Sequence, residues 1–223
     1  MQLGSNDFKE RASQDSVAIA RCDQSENTLI QLDSMLSPNK FSSKYFFIGL
    51  TATGNYTAAT AMHMLGYRAA HFPTSLAWIL DFDVLTDTPV AFWFRLGLLP
   101  LDATFVLTVR EIESWLEACQ VWFESRPLST LDPFTQQVRW YLYGGLTFER
   151  ERFINCYWNH LEQARKLAQK YGLNLVEWNL VENPQWDFLC NLTLQDVPSQ
   201  PFPFKFDKQY KRGTWQGVLN TTP

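Results

Sequence analysis

The sequence is poor in the residues from which metal centres and redox sites are built. It has three histidines and four cysteines in 223 residues, and Cys22, Cys119, Cys156 and Cys190 are scattered with no C-x-x-C pair. Cysteines placed this way, in helix-like or hydrophobic surroundings, read as reduced core thiols rather than as a disulfide framework. Asp81, Asp83 and Asp87 lie close together, yet no histidine or cysteine joins them at zinc-ligand spacing, so no metal site is expected. The G-x-S-x-G elbow is missing as well, which argues against a serine hydrolase. Basic residues do not predominate: 19 lysines and arginines face 23 aspartates and glutamates, a net charge of −4. That balance excludes a general nucleic-acid binder held by phosphate neutralisation. A local array of backbone N–H groups can still hold a small anion. The opening MQLGSNDFKERASQ carries no apolar export segment. The most apolar region, Pro89 to Val109, is interrupted by Arg95, Pro100 and Asp102, so no membrane span is expected and a cytoplasmic location is.

What the chain does have is aromatic and aliphatic bulk, nine tryptophans among it, and a length that suits one domain with appendages. Residues 1–43 read as a polar appendage, with a short amphipathic helix over Thr28 to Leu36. The domain proper runs over residues 44–204, and 205–223 form a tail expected to pack over its surface. Tyr45 to Ile48 is a short apolar run bounded by Gly49, hence a buried strand. Thr57 to Leu65 reads as a helix stopped at Gly66. Val90 to Leu98 is helix-compatible, Thr104 to Val109 is a β-branched strand, and Glu113 to Phe123 is a helix. Leu128 to Leu146 reads as a helical insertion. Phe148 to Tyr171 is the longest helix, with Phe153, Tyr157, His160, Leu161, Ala164 and Leu167 on one face. Leu173 to Trp178 is a further strand. Strands alternating with helices predict an α/β domain: a three-layer parallel sheet flanked by helices.

The segment Gly49-Leu50-Thr51-Ala52-Thr53-Gly54-Asn55-Tyr56-Thr57 follows a strand and opens a helix. Such a loop directs unsatisfied backbone N–H groups at an anion. Thr53, Asn55 and Thr57 add side-chain donors. An ordinary turn and helix cap would use the same residues. No G-K-[ST] ending is present, which weighs against a nucleotide kinase, as does the lack of a magnesium constellation.

This loop, followed by Leu65-Gly66-Tyr67, His71-Phe72-Pro73, Thr86-Asp87-Thr88-Pro89 and Leu107-Thr108-Val109-Arg110, resembles the P-loop sulfotransferase family in order and spacing. The resemblance continues through Glu151-Arg152-Phe153, Tyr157, His160 and Trp186-Asp187-Phe188-Leu189-Cys190 to Pro201-Phe202-Pro203, over roughly residues 44–204. It implies a nucleotide-kinase-related fold and the donor 3′-phosphoadenosine 5′-phosphosulfate. Thr51, Ala52, Thr53, Gly54, Asn55, Tyr56 and Thr57 would surround its 5′-phosphosulfate, and Arg110 with Ser114 would hold its 3′-phosphate. The activity implied is transfer of a sulfuryl group to a hydroxyl or amine of a small-molecule acceptor. The site itself departs from the family pattern. Ala52 stands where the family has lysine or arginine, Asn55 and Tyr56 replace paired threonines, Glu111-Ile112 replaces Asp-Pro, and Ala118 replaces a phosphate-binding serine. These departures leave open a noncatalytic protein of the same fold that binds metabolites or proteins.

Asp87 and His71 are the candidates for removing the acceptor proton, since either can act as a general base within reach of a hydroxyl. Asp87 could equally form a turn before Pro89. Arg110 could pair with Glu111 or Glu113, and Ser114 could cap the helix that follows it. His160, on a helix face with Phe153 and Tyr157, reads as a packing residue, and His63 is assigned no role.

Overall fold

The computed structural model describes Phe41, residues 43–203 and the backbone of Gly217–Val218. The reading of Thr28 to Leu36 as a helix, and Cys22, lie outside the described residues. Five parallel strands form the sheet: β1 (Tyr45–Phe47), β2 (Ala69–His71), β3 (Val84–Thr86), β4 (Thr104–Thr108) and β5 (Asn174–Trp178). A short β6 (Gly217–Val218), within the segment read as tail, pairs antiparallel with β2, giving the order β5-β4-β1-β3-β2-β6. The helices are α1 (Asn55–Met64), α2 (Trp78–Asp81), α3 (Thr88–Arg95), α4 (Ile112–Glu124), α5 (Pro133–Tyr143), α6 (Arg150–Tyr171) and α7 (Trp186–Thr193).

Consecutive strand residues bury on opposite faces, as the two-residue period of a strand requires. Phe46, Ala70, Leu85 and Phe105 belong to a core shared with α3, α4, α5 and α6. Their neighbours Phe47, Ala69, Val84 and Val106 pack with α1 and α7. Both faces are thus covered, which is why these strands are unbroken apolar runs rather than alternating ones. The result is an α/β domain with a parallel sheet between two helical layers.

The sequence reading passed over β3 and α2. A strand of three residues is too short to show a period, and α2 is a single turn. Phe41, assigned to the polar appendage, is 4% exposed and belongs to the larger core, its N–H donating to Asp102 Oδ2 at 2.9 Å. Its aromatic ring finds more contact there than in water. The helix expected from Thr57 starts two residues earlier, because Gly54 takes the capping position with φ 99°. Among the described residues, no helix is long and apolar enough to cross a membrane.

The directionality of the sheet places the site. All five parallel strands end on one edge, where His71, Asp87, Arg110 and the loop after β1 converge. Ligands of open α/β sheets bind at this carboxyl edge.

Candidate functional site

The loop from Ile48 to Gly54 is fastened to the protein through its own backbone. The Thr51 N–H donates to the Tyr143 hydroxyl at 3.0 Å, and the Thr51 carbonyl accepts from Trp115 Nε1 at 2.8 Å, with Cys119 Sγ 3.8 Å from the same oxygen. Burial keeps the Tyr143 phenol protonated by raising its pKa well above the ordinary value. Two side chains expected to face a ligand turn inward instead. Thr53 Oγ1 donates to the Leu50 carbonyl at 2.8 Å and lies 2.7 Å from Thr108 Oγ1. Asn55 Nδ2 donates to the carbonyls of Gly49 and Leu50 at 3.1 and 2.9 Å, and Asn55 Oδ1 accepts from Thr108 Oγ1 at 3.0 Å. Buried carbonyls of an irregular loop need partners, and these two side chains supply them.

Both loop glycines answer to packing. A Cβ on Gly49 would overlap Thr108 Oγ1 and lie 2.7 Å from the Thr108 carbonyl oxygen, which is backbone and cannot step aside. A Cβ on Gly54 would overlap the Leu180 side chain, at a φ of 99° that L-residues rarely adopt. We therefore expect Gly49→Ala to destabilise the domain by about 2 kcal/mol, the scale of overpacking a close-fitted interior. Urea unfolding followed by circular dichroism checks this, and an unchanged midpoint would mean that β1 and β4 can separate at the loop without cost.

What the loop leaves available is backbone and one cation. No side chain caps α1, so the N–H groups of Asn55 and Thr57 at its first turn lie outside the helical ladder. Ala52, at φ 65°, presents its carbonyl to Arg110 Nη1 at 2.9 Å. Arg110 Nε donates to Ser114 Oγ at 2.9 Å. The arginine's backbone is clasped by Tyr157, whose hydroxyl accepts from the Arg110 N–H at 3.1 Å and donates to the Arg110 carbonyl. Neither acidic neighbour competes for the guanidinium. Glu111 caps α4 by accepting from the N–H groups of Glu113 and Ser114 at 2.9 and 2.8 Å, and Glu113 pairs with Arg150. Ser114 is therefore a partner of Arg110 rather than the helix cap. Burial lowers the Arg110 pKa, against the opposing pull of Cys119, Glu117 and Glu111.

Beside the loop, β2 and β3 bring His71 and Asp87 together. In their register His71 lies opposite Thr86, so Asp87, the residue that follows β3, reaches the imidazole. His71 Nε2 is 3.1 Å from Asp87 Oδ2, with 18% and 12% of the two side chains exposed, and His71 Nδ1 is 3.0 Å from Thr86 Oγ1. Burial lowers the His71 pKa despite the attraction of Asp87, and the charge of Arg126 lowers it further, so the ring is neutral at pH 7. In that form Nε2–H donates to Asp87 and Nδ1 accepts from Thr86. Asp87 Oδ1 accepts from the Thr88 N–H at 2.7 Å, capping α3, and lies 3.4 Å from Asn55 Nδ2. Its φ of 88° is uncommon for a residue other than glycine. The Tyr56 ring stands edge-on to His71 with centres 5.4 Å apart.

Lys44 and Arg68, the basic residues nearest the loop and its helix in sequence, lie at the opposite edge of the sheet. Lys44 Nζ donates to the Phe82 carbonyl at 2.7 Å and Arg68 pairs with Asp83 at 3.1 Å. Ala118 is partly buried one turn beyond Ser114 in α4. His160 is buried, with Nε2 2.8 Å from the Ile48 carbonyl, so it supports β1 from below the loop. Tyr143, Trp115 and Thr108 hold the loop's geometry, yet the sequence reading assigned none of them to the site. Thr108 stands in a quoted motif and Trp115 within the expected helix from Glu113 to Phe123, whereas nothing in the sequence connects Tyr143 with a loop 92 positions away. Among the described residues, no group of three or more His, Cys, Asp or Glu side chains could hold a metal ion.

Comparison with known proteins bears on this arrangement. No curated protein matches the chain. A family model described as "Sulfotransferase domain" matches residues 72–210, more than half of the chain. The match takes in Asp87, Arg110 and Ser114, and begins just after His71 and the loop. The chain thus belongs to the sulfotransferase-domain family.

Proposed function

We propose that the protein transfers a sulfuryl group from 3′-phosphoadenosine 5′-phosphosulfate to a hydroxyl or amine of a small-molecule acceptor. The observation that carries this reading is Arg110, held between the Ala52 carbonyl and Ser114 Oγ next to the uncapped start of α1. The N–H groups of Asn55 and Thr57 and a guanidinium with no ion pair among the described residues, on one sheet edge, suit a donor with phosphate at both ends. The Tyr56 ring, whose bulk the sequence sets against the phosphate pocket, is packed on His71 at the β2 side of the loop.

When bound, the donor supplies an electrophilic sulfur whose bond to the 5′-phosphate oxygen breaks as the acceptor oxygen or nitrogen attacks. The protein's part is to hold, to deprotonate and to stabilise charge. The first-turn amides of α1 and the loop hold the 5′ end, while Ser114 and Arg110 hold the 3′-phosphate. Arg110, engaged with Ser114 and the Ala52 carbonyl, is committed to the 3′ end, and position 52 lacks the cation that would stand beside the leaving 5′-phosphate. A cation there is worth more as negative charge gathers on the leaving phosphate than in the ground state. His71 has both ring nitrogens engaged, so the carboxylate of Asp87 is the proton acceptor and His71 positions it.

Adenosine 3′,5′-bisphosphate should bind the wild type and bind Arg110→Ala about 30-fold more weakly, corresponding to a loss on the order of 2 kcal/mol for charge-assisted contacts. Isothermal titration calorimetry reads this directly. A wild type that does not bind the nucleotide sinks the proposal. The noncatalytic reading draws on Ala52 and on the inward turn of Thr53 and Asn55. Nucleotide binding with no donor-dependent transfer to any acceptor would favour it.

A further inference from the structure

Two arginines gather around one indole at the end of α4. The guanidinium carbon of Arg126 lies 4.4 Å from the Trp122 ring centre, and that of Arg139, on α5, lies 4.8 Å from Trp122 and 4.2 Å from Phe123. Arg139 is 2% exposed. Its Nη1 donates to the Leu146 carbonyl at 3.0 Å, but Nε and Nη2 are buried with no partner. Those two nitrogens form the side-on edge of a guanidinium, the edge that grips an oxyanion with two parallel hydrogen bonds. Elsewhere in this chain the same edge is filled: Arg165 presents it to Glu177 at 2.7 and 2.9 Å, and Arg68 presents it to Asp83 at 3.2 and 3.1 Å.

No carboxylate compensates the pair, because the ion pairs of the described residues are all made by other cations. Burial, and then the like charge of Arg126, pull the Arg139 pKa down to about 10, which still leaves it charged at neutral pH. A buried charge with an empty bidentate edge is costly, and aromatic faces offset only part of the cost. The pair also adjoins the site. Tyr143, one turn after Arg139 on α5, carries the hydroxyl that accepts from the loop at Thr51, and Arg126 is the cation whose charge reaches His71.

We propose that Arg126 and Arg139, gathered on Trp122, form a second anion site that seats a small oxyanion, a phosphate, sulfate or carboxylate borne by the acceptor. Its assignment to the acceptor rests on the sulfuryl-transfer reading; the anion site itself rests on the arginines alone. The Nε–Nη2 edge of Arg139 is shielded from water, so the side chains packed over it shift to admit the anion. Arg139 then supplies two parallel donors and Arg126 the second charge, while Trp122 offers its ring to an apolar body attached to the anion.

The test is calorimetric titration of the full chain with phenyl phosphate, with and without saturating adenosine 3′,5′-bisphosphate. We expect saturable binding that persists beside the nucleotide and is unchanged in Arg110→Ala. Arg126→Gln, an exposed substitution that leaves the fold intact, should weaken it at least about tenfold. Arg139→Lys, which keeps the charge but loses the fork, should weaken it as well. Absence of saturable binding, or binding that survives both substitutions, overturns the proposal. Binding abolished by Arg110→Ala or by the nucleotide would place the anion in the donor cradle and overturn it too. Phenyl phosphate bound in a protein that ignores the nucleotide would uphold the anion site while sinking the donor reading.

Discussion

Asp87→Asn should lower donor-dependent turnover by ~10²–10⁴-fold, the usual contribution of a positioned general base, and leave the fold nearly as stable as before. The substitution separates chemistry from structure because asparagine can do most of what Asp87 does for the protein. Its side-chain oxygen can accept from the Thr88 N–H, preserving the cap of α3. Asparagine has the same shape as aspartate, so the unusual backbone at position 87, φ 88° and ψ −178°, is no harder for it to hold. What it lacks is the charge that, in the proposed reaction, takes a proton from an acceptor hydroxyl. Nucleotide-product affinity should stay within about twofold, since Arg110, Ser114 and the first-turn amides are untouched. Turnover close to wild type would show that Asp87 is only a cap, and a collapse in thermal midpoint would show that the carboxylate is mainly structural. His71→Gln, which retains a donor for Asp87, should fall between the wild type and Asp87→Asn, with its loss in turnover rather than in acceptor KM.

The second large effect is a loss of stability in mild acid traceable to His160. This imidazole is wholly buried and holds the Ile48 carbonyl at 2.8 Å, while its Nδ1 has no partner. Burial therefore outweighs the hydrogen bond and brings its pKa from 6.5 down to about 4. A histidine whose folded pKa lies below its unfolded value contributes nothing to pH dependence above about 6.5, where both states are neutral. Below that pH the unfolded chain takes up a proton that the native protein refuses, and stability falls by about 1.4 kcal/mol per pH unit until the native imidazole titrates near 4. The loss across this window is roughly 3 kcal/mol. His71, whose pKa is also lowered, acts in the same direction. The depressed carboxylates Asp83, Asp132 and Glu177 act at the acid end of the window and below it. Urea unfolding of wild type and His160→Gln at pH 6.5, 5.5 and 4.5 should show the variant losing less stability with acid, by one proton's worth of slope. Equal slopes in the two proteins would mean that His160 is protonated in the native state or that its site admits water.

Sequence alone determined the local parts of this protein. The strand, glycine loop and helix at residues 45–64, β4 followed by Arg110 and the helix bearing Ser114, and the long helix ending at Gly172 are each encoded within a few turns of chain. Short-range patterns of apolar residues, glycines and caps specify such pieces. Only the tertiary structure decided what those parts face. It turned Thr53 and Asn55 inward, because the carbonyls of Gly49 and Leu50 needed donors and Thr108 lay beside them. It joined His71 to Asp87 through the register of two three-residue strands, too short to show a period in the sequence. It put Lys44 and Arg68 at the edge of the sheet away from the loop and set Arg110 against the Ala52 carbonyl. It brought Tyr143 to Thr51 across 92 positions and set the Arg139 guanidinium over two aromatic rings with Nε and Nη2 buried. Burial and long-range pairing depend on which surfaces meet once the sheet closes, and a pattern confined to neighbouring residues carries no record of that meeting.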